Sequence, residues 1–284
     1  MVAVRGRAVR AEAIVRVPRV RAGEVELAYY VRGAGPPILL IMGLGGRATD
    51  WNAEGFLAPL ARHFTCITFD NRGTGASDKP MGEYSLDVMA DEAIVVLRAA
   101  GHAPAHVVGI SMGGMIAQLV ALRHPASVGR LVLIATHPGG PTVTPPTPAA
   151  MSALVTDRSI PPDELFRRAY RNIVAPGFAE RAPDVIETQV ALALAQPTPE
   201  VAFARQLMAI MQSDRLARLA EIAAPTLVVH GTEDPLVPPP NGAQLAAAIP
   251  GARLHPLPGC GHLPMWEAPA ALAAVVGDFL AERG

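Results

Sequence analysis

Short apolar runs alternate with stretches of helical periodicity along most of this chain. Residues 24–32 alternate apolar and polar positions as an edge or hairpin strand does, and Gly33-Ala34-Gly35-Pro36-Pro37 breaks that pattern. From Ile38 onward the runs no longer alternate. Those at 38–41, 66–69, 107–110, 131–135 and 225–231 are apolar apart from Thr68, Thr226 and His230, as strands covered on both faces are, and a weaker run lies at 252–257. The segments 52–62, 85–100 and 113–124 carry helical spacing between them, and Pro125 ends the third because the residue before a proline avoids the helical region. Strand and helix signals that alternate from 37 to 137 and again from 216 to 282 predict an α/β domain, a mostly parallel central sheet flanked by helices.

At residue 138 the pattern changes. Residues 138–148 are rich in proline and glycine, and helical signals then follow without a strand until Asp214. Ser159 with Pro161-Pro162-Asp163-Glu164 reads as one helix start and Thr198-Pro199-Glu200 as another. The expected organisation is a core of residues 1–137 and 215–284 interrupted by a helical cap, or lid, at 138–214. That position lies above the carboxyl edge of the sheet, where ligands of open α/β sheets bind. Met151, Leu154, Phe166, Tyr170, Ile173, Met208 and Met211 are candidates to line an apolar pocket there. A helix stripe usually means packing, but flexible thioethers such as those of Met208 and Met211 suit a pocket that adapts to its ligand.

Candidate chemistry sits at the ends of the strands. Gly109-Ile110-Ser111-Met112-Gly113 joins an apolar run to a helical one, and a serine between two glycines there is forced into a tight turn that exposes its hydroxyl. The helix N-terminus that follows presents unpaired N–H groups and a positive dipole end to a developing oxyanion. Thr232-Glu233-Asp234-Pro235 follows the strand at 225–231, and Gly259-Cys260-Gly261-His262 follows the one at 252–257. Ser111, Asp234 and His262 are the candidate nucleophile, acid and base. Their order along the chain differs from that of chymotrypsin-like and subtilisin-like enzymes.

With this order the chain resembles the α/β-hydrolases. Ile-Leu-Leu-Ile-Met-Gly-Leu-Gly-Gly at 38–46, with Trp51 following, resembles their first buried strand and oxyanion loop. Asp70-Asn71-Arg72-Gly73-Thr74-Gly75 is similar to the loop after the next strand, and Gly261-His262-Leu263-Pro264-Met265-Trp266-Glu267 to the histidine loop and the start of the last helix. The resemblance implies an oxyanion hole made by the Leu44 and Met112 N–H groups. Many relatives carry His-Gly where this chain has Met42-Gly43; a backbone donor survives that change, and Met42 makes the site floor more apolar. Met42, Trp51 and His137 join Met208 and Met211 as candidate substrate contacts.

The implied function is hydrolysis of a carboxylic ester or lactone of an apolar small molecule through an acyl-enzyme. A carbon–carbon bond hydrolase, a cofactor-free haloperoxidase or perhydrolase, and a ligand receptor that keeps the hydrolase scaffold are the alternatives. Haloalkane dehalogenases and epoxide hydrolases use aspartate as the nucleophile, so Ser111 argues against both.

Composition narrows the partners. The net charge of −1 over 284 residues gives no basis for nucleic-acid binding. Lys79, the only lysine, lies between Asp78 and Pro80, where neither a P-loop nor a pyridoxal-phosphate Schiff base is expected. The glycine-rich turns at 43–46 and 73–75 do not complete a dinucleotide fingerprint, and Cys66 and Cys260 have no metal-binding or disulfide spacing. No cofactor and no metal are expected. The first 22 residues are punctuated by arginines without an apolar signal region, and no apolar run is long enough to span a bilayer, so a cytoplasmic protein is expected. The oligomeric state is unspecified.

Overall fold

The computed structural model describes residues 17–155, 157 and 159–282, so the reading of residues 1–16 as free of a signal segment lies outside the described residues. Among these described residues eight strands form one sheet: β1 (Arg19–Ala22), β2 (Val25–Arg32), β3 (Pro37–Ile41), β4 (Thr65–Phe69), β5 (Ala105–Ile110), β6 (Val128–Ile134), β7 (Thr226–Gly231) and β8 (Arg253–Leu257). Their order across the sheet is β1-β2-β4-β3-β5-β6-β7-β8. The two β1 and β2 pairings are antiparallel and every later pairing is parallel. After β3 the chain moves outward to β4 and then returns to place β5 on the other side of β3. This reversal creates a crevice at the carboxyl ends of β3 and β5.

Alternate residues of the buried strands feed two cores. Leu39, Val107, Leu131 and Val228 face one layer, and Ile38, Val108, Val132 and Val229 face the other. The first layer is covered by α2 (Leu86–Ala99), α3 (Met112–Arg123) and α9 (Pro240–Ala248), through residues such as Met89, Ile116 and Leu245. The second is covered by α1 (Ala58–Ala61) and α11 (Pro269–Ala281), through Leu60, Leu272 and Val276, with the single turn α10 (Pro264–Glu267) just before it. Two-sided coverage is the reason these strands lack a polar face, and each fully buried aliphatic side chain contributes roughly 1.5–3 kcal/mol.

Between β6 and β7 lie α4 (Pro148–Met151), α5 (Pro162–Ile173), α6 (Phe178–Arg181), α7 (Pro183–Ala195) and α8 (Glu200–Met211). An isolated antiparallel bridge between Gly139 and Asp214 closes the base of this insertion. A Cβ on Gly139 would lie 2.0 Å from the Ser213 carbonyl oxygen, so the pinch requires glycine. Its helices dock differently. Ile173 of α5 and Ile186 and Val190 of α7 join the second core, whereas Ala202 and Ala209 of α8 join the first.

One expected element is different in form. Residues 52–62 do not make a single α-helix; a 3₁₀ turn over Ala48–Trp51 leads into a π turn over Ala53–Leu57 and then into α1. Asn52 at φ 54° opens that π turn and its side chain accepts the Gly55 N–H, while Pro59 lacks the N–H that a continuing helix would need.

Candidate active site

Ser111 stands at the junction of β5 and α3 with φ 54° and ψ −122°, a conformation that costs a non-glycine residue free energy. Its surroundings enforce it. A Cβ on Gly109 would lie 2.2 Å from the Gly113 carbonyl oxygen, and one on Gly113 would lie 2.0 Å from that of Ile41. The two glycines let strand, turn and neighbouring strand pack backbone against backbone. The Ser111 N–H donates to Ile134 O at 2.9 Å and its carbonyl accepts the Thr136 hydroxyl at 2.7 Å, so the strained residue is held from both sides.

Asp234 follows β7 and is buried. Its Oδ1 accepts the Leu236 and Val237 N–H groups at 2.9 and 2.8 Å, and its Oδ2 accepts His262 Nδ1–H at 2.9 Å. A carboxylate can only accept, so the proton of neutral His262 sits on Nδ1 and the Nε2 lone pair is free. Ser111 and His262 line the same cavity, and no hydrogen bond joins them among the described residues. His230, next to last in β7, donates from Nε2 to Val237 O at 2.7 Å, a brace of the loop that carries Asp234.

The loop bearing His262 is fastened by a group that sequence reasoning passed over. Glu267 Oε2 accepts the N–H groups of Gly261 and Ala175, both at 2.8 Å, and Oε1 accepts that of Leu263 at 3.0 Å. Burial raises the pKa of this carboxyl, and the three N–H donors oppose the shift. His262 N–H itself donates to Ile173 O at 2.9 Å, tying the loop to the end of α5.

Opposite stands the loop after β3. A Cβ on Gly43 would come within 3.2 Å of Ser111 Cβ, so this loop closes directly over the serine. Among the described residues no protein acceptor takes the N–H of Leu44 or of Met112, the first residue of α3. Asn71 Nδ2 donates to Met42 O at 3.0 Å and Asp70 Oδ1 accepts the Ala48 N–H at 2.8 Å. The Asp-Asn-Arg-Gly sequence therefore braces this loop, and Arg72 closes a buried ion pair with Glu92.

A cavity of about 280 Å³ opens over these groups, walled largely by apolar side chains. Met42 and His137 line it, with Leu154, Phe166, Tyr170 and Ile173 of the insertion. His137 Nδ1 accepts the Gly139 N–H at 3.0 Å, which leaves the proton of the neutral ring on Nε2. Burial, aided by the charge of Arg215, holds its pKa down at about 4. Arg47 and Asp50 also reach the cavity, but they pair with each other at 2.8 Å, and Arg47 further binds the carbonyls of Leu192 and Gln196 at the end of α7.

Four expected contacts fall elsewhere; Met151, at the end of α4, is 45% exposed and is not part of the cavity wall. Met208 and Met211 are 51% and 72% exposed. The reason is that α8 buries its small and polar stripe, Ala202, Gln206 and Ala209, against the core, so Phe203, Leu207 and Ile210 border the cavity and the methionines face out. The stripe at i, i+4 and i+7 was the signal that could have shown this. Trp51 is fully buried and stacks on Phe56 with ring centroids 5.5 Å apart; it is core, away from the cavity lining.

A profile of the alpha/beta hydrolase fold matches residues 36–269. The chain belongs to the α/β-hydrolase family. Among its relatives, the 2-hydroxymuconate semialdehyde hydrolase of Pseudomonas sp. (strain CF600) is 34% identical over 88% of this chain and 88% of its own. The 2-hydroxy-6-oxononadienedioate/2-hydroxy-6-oxononatrienedioate hydrolase of Cupriavidus pinatubonensis (strain JMP 134 / LMG 1197) is 31% identical over 93% of this chain and 94% of its own. Among solved structures, the enol-lactonase from Burkholderia xenovorans LB400 superposes with a TM-score of 0.83 at 28% identity, covering 93% of this chain and 100% of that one. This α/β-hydrolase is thus similar both to a lactonase and to hydrolases named for open-chain oxo-acids. No helix among its described residues is long and apolar enough to cross a membrane.

Proposed function

We infer that this α/β-hydrolase cleaves a carboxylic ester or lactone of an apolar small molecule, with Ser111 as the covalent nucleophile. His262 Nε2 takes the Ser111 proton as Oγ attacks the acyl carbon, and Asp234 keeps the imidazole in that tautomer and stabilises its cationic form. The Leu44 and Met112 N–H groups receive the oxyanion, the leaving alkoxide takes the proton from His262, and water activated by the same histidine releases the acyl group. The helices of residues 138–214 serve as a cap whose apolar wall takes the non-reacting part of the substrate.

The observation that carries the ester or lactone reading is the charge of the cavity. Among its described lining residues Arg47 is the one guanidinium, and it is already spent on Asp50 and two backbone carbonyls. A dioate substrate brings two carboxylates and would leave them without a cationic partner, at a cost that an uncharged ester or lactone does not incur. The likeness to the semialdehyde and dienedioate hydrolases favours a second reading, hydrolysis of a carbon–carbon bond in a vinylogous diketone. A panel of short- and long-chain aryl esters, uncharged lactones and vinylogous diketone acids separates the two. Turnover of uncharged esters or lactones with kcat/KM at least about tenfold above the diketone acids is expected; the reverse order would replace this reading with the second.

A further inference from the structure

The loop that closes over Ser111 is held by the insertion as well as by the core. Gly46 N–H donates to Gly43 O at 3.1 Å, which makes residues 43–46 a β-turn with Leu44 and Gly45 at its centre. Gly45 has φ +68°, the left-handed conformation of the third position of such a turn. The peptide between the two central residues is the part of a β-turn that flips between turn types, and glycine at the third position permits both orientations. Left alone, a Gly43-Leu44-Gly45-Gly46 turn has little of its own to fix the Leu44 backbone.

Gln206 of α8 supplies what the turn lacks. This side chain is fully buried; its Oε1 accepts the Gly45 N–H at 2.8 Å and its Nε2 donates to Arg72 O at 2.8 Å. The two partners are a donor and an acceptor, so the amide has one satisfied orientation, and it joins the loop after β3 to the loop after β4. A second clasp lies beside it. Thr198 Oγ1, just ahead of α8, donates to Gly45 O at 2.8 Å. With Asn71 on Met42 O, side chains hold the Met42–Gly43, Leu44–Gly45 and Gly45–Gly46 peptides, so the Gly43–Leu44 peptide between them, whose carbonyl accepts the Gly46 N–H, is framed on both sides while its Leu44 N–H takes no protein acceptor among the described residues.

We propose that Gln206, assisted by Thr198, is a positioning residue for the oxyanion-binding loop, so that α8 sets the direction of the Leu44 N–H in addition to covering the cavity. This proposal rests on the serine-hydrolase reading above. Its consequence is that α8 cannot swing away as a free lid during turnover without loosening the hole; opening of the cavity must come from the α4 to α7 side.

The test uses the full chain with a short aryl ester and an aryl boronic acid that forms a tetrahedral adduct on an active-site serine. Gln206→Met keeps the volume of the side chain and removes both hydrogen bonds. It is expected to lower kcat about 10- to 100-fold, to leave KM within about threefold, and to weaken the boronic acid by the same factor as kcat. Thr198→Val is expected to act in the same direction and more weakly, and Thr198→Ser to restore the wild-type value, since only the serine keeps the donor. Thr198 is partly exposed, so its pair of variants carries the test even if Gln206→Met does not fold. A folded Gln206→Met, or a Thr198→Val, whose kcat and boronic acid affinity match wild type would overturn the proposal. Failure of the wild type to hydrolyse any ester or to take a serine-directed phosphonate on Ser111 would instead remove the underlying reading.

Discussion

The turn around Ser111 and the helix α8 lie on the same cavity and were specified in opposite ways. At the turn, each residue is dictated by its own backbone: Gly109 and Gly113 have carbonyl oxygens 2.2 and 2.0 Å from where a Cβ would stand. At α8 no backbone demand exists, and the face turned inward is chosen by what the core loops accept. Those loops accept Ala202, Gln206 and Ala209, two small residues and one amide, in preference to the larger Met208 and Met211. Local steric necessity can be read from a chain, whereas the choice between two apolar faces of a helix is made by its partner.

The largest expected effect tests the first half of that contrast. Gly113→Ala puts a methyl group into the Ile41 and Met42 carbonyls and is expected to cost about 3 kcal/mol or more, measured by chemical denaturation. Gly177→Ala in the insertion makes the comparison sharp. There φ is +76° and the nearest atom is the Arg181 guanidinium at 2.8 Å, the mobile end of a side chain, so roughly 1–2 kcal/mol of backbone strain is expected. Equal losses at the two sites would break the comparison.

That contrast also explains what was legible beforehand. The buried strands, the α2 and α3 helices and the Ser111 turn follow from short-range patterns, whereas the relation of Asp234 to His262, 28 residues apart, follows from the order of the three residues along the chain and the family resemblance. β1 was missed because Arg19-Val20-Arg21-Ala22 is short and half charged, and pairs only as an antiparallel edge. The 3₁₀ and π turns before α1 were missed because periodicity alone does not register the left-handed Asn52. The Gln206 clasp on Gly45 and the Glu267 bond to Ala175 join residues far apart in sequence, which no local pattern registers, whereas the spacing that offers Trp51 as a contact does not say which way its ring turns, and it turns onto Phe56.

His137 gives the next effect. Its pKa in the fold, about 4, lies below the ordinary histidine value of 6.5, so the unfolded chain binds the proton first. The stability this contributes is present above pH 6.5 and is lost as the pH falls toward 4, a total of the order of 3 kcal/mol. Burial lowers the pKa of His106 and His230 in the same direction. His137→Asn keeps an acceptor near the Gly139 N–H and cannot titrate. Its stability measured between pH 7 and pH 4.5 is expected to fall by less than that of wild type, and an unchanged pH slope would contradict the assignment.

The smallest effects decide which face of α8 meets the substrate. Leu207→Ala enlarges the cavity wall and is expected to change the ratio of kcat/KM for long against short acyl esters by roughly tenfold or more. Met208→Ala, one residue on and half exposed, is expected to leave that ratio unchanged and to alter stability by less than about 0.5 kcal/mol. A shift in chain-length preference at Met208 with none at Leu207 would reverse the assignment of the two faces.

The proposed reaction passes through a covalent acyl group at Ser111. Mixing the protein with an activated aryl ester, quenching in acid during the first turnover and mapping the added mass tests this directly. One acyl group on Ser111 is expected, absent from a folded Ser111→Ala variant whose kcat is lower by about 10³-fold or more. Acylation of another residue, or ester turnover near the wild-type rate in Ser111→Ala, would contradict it.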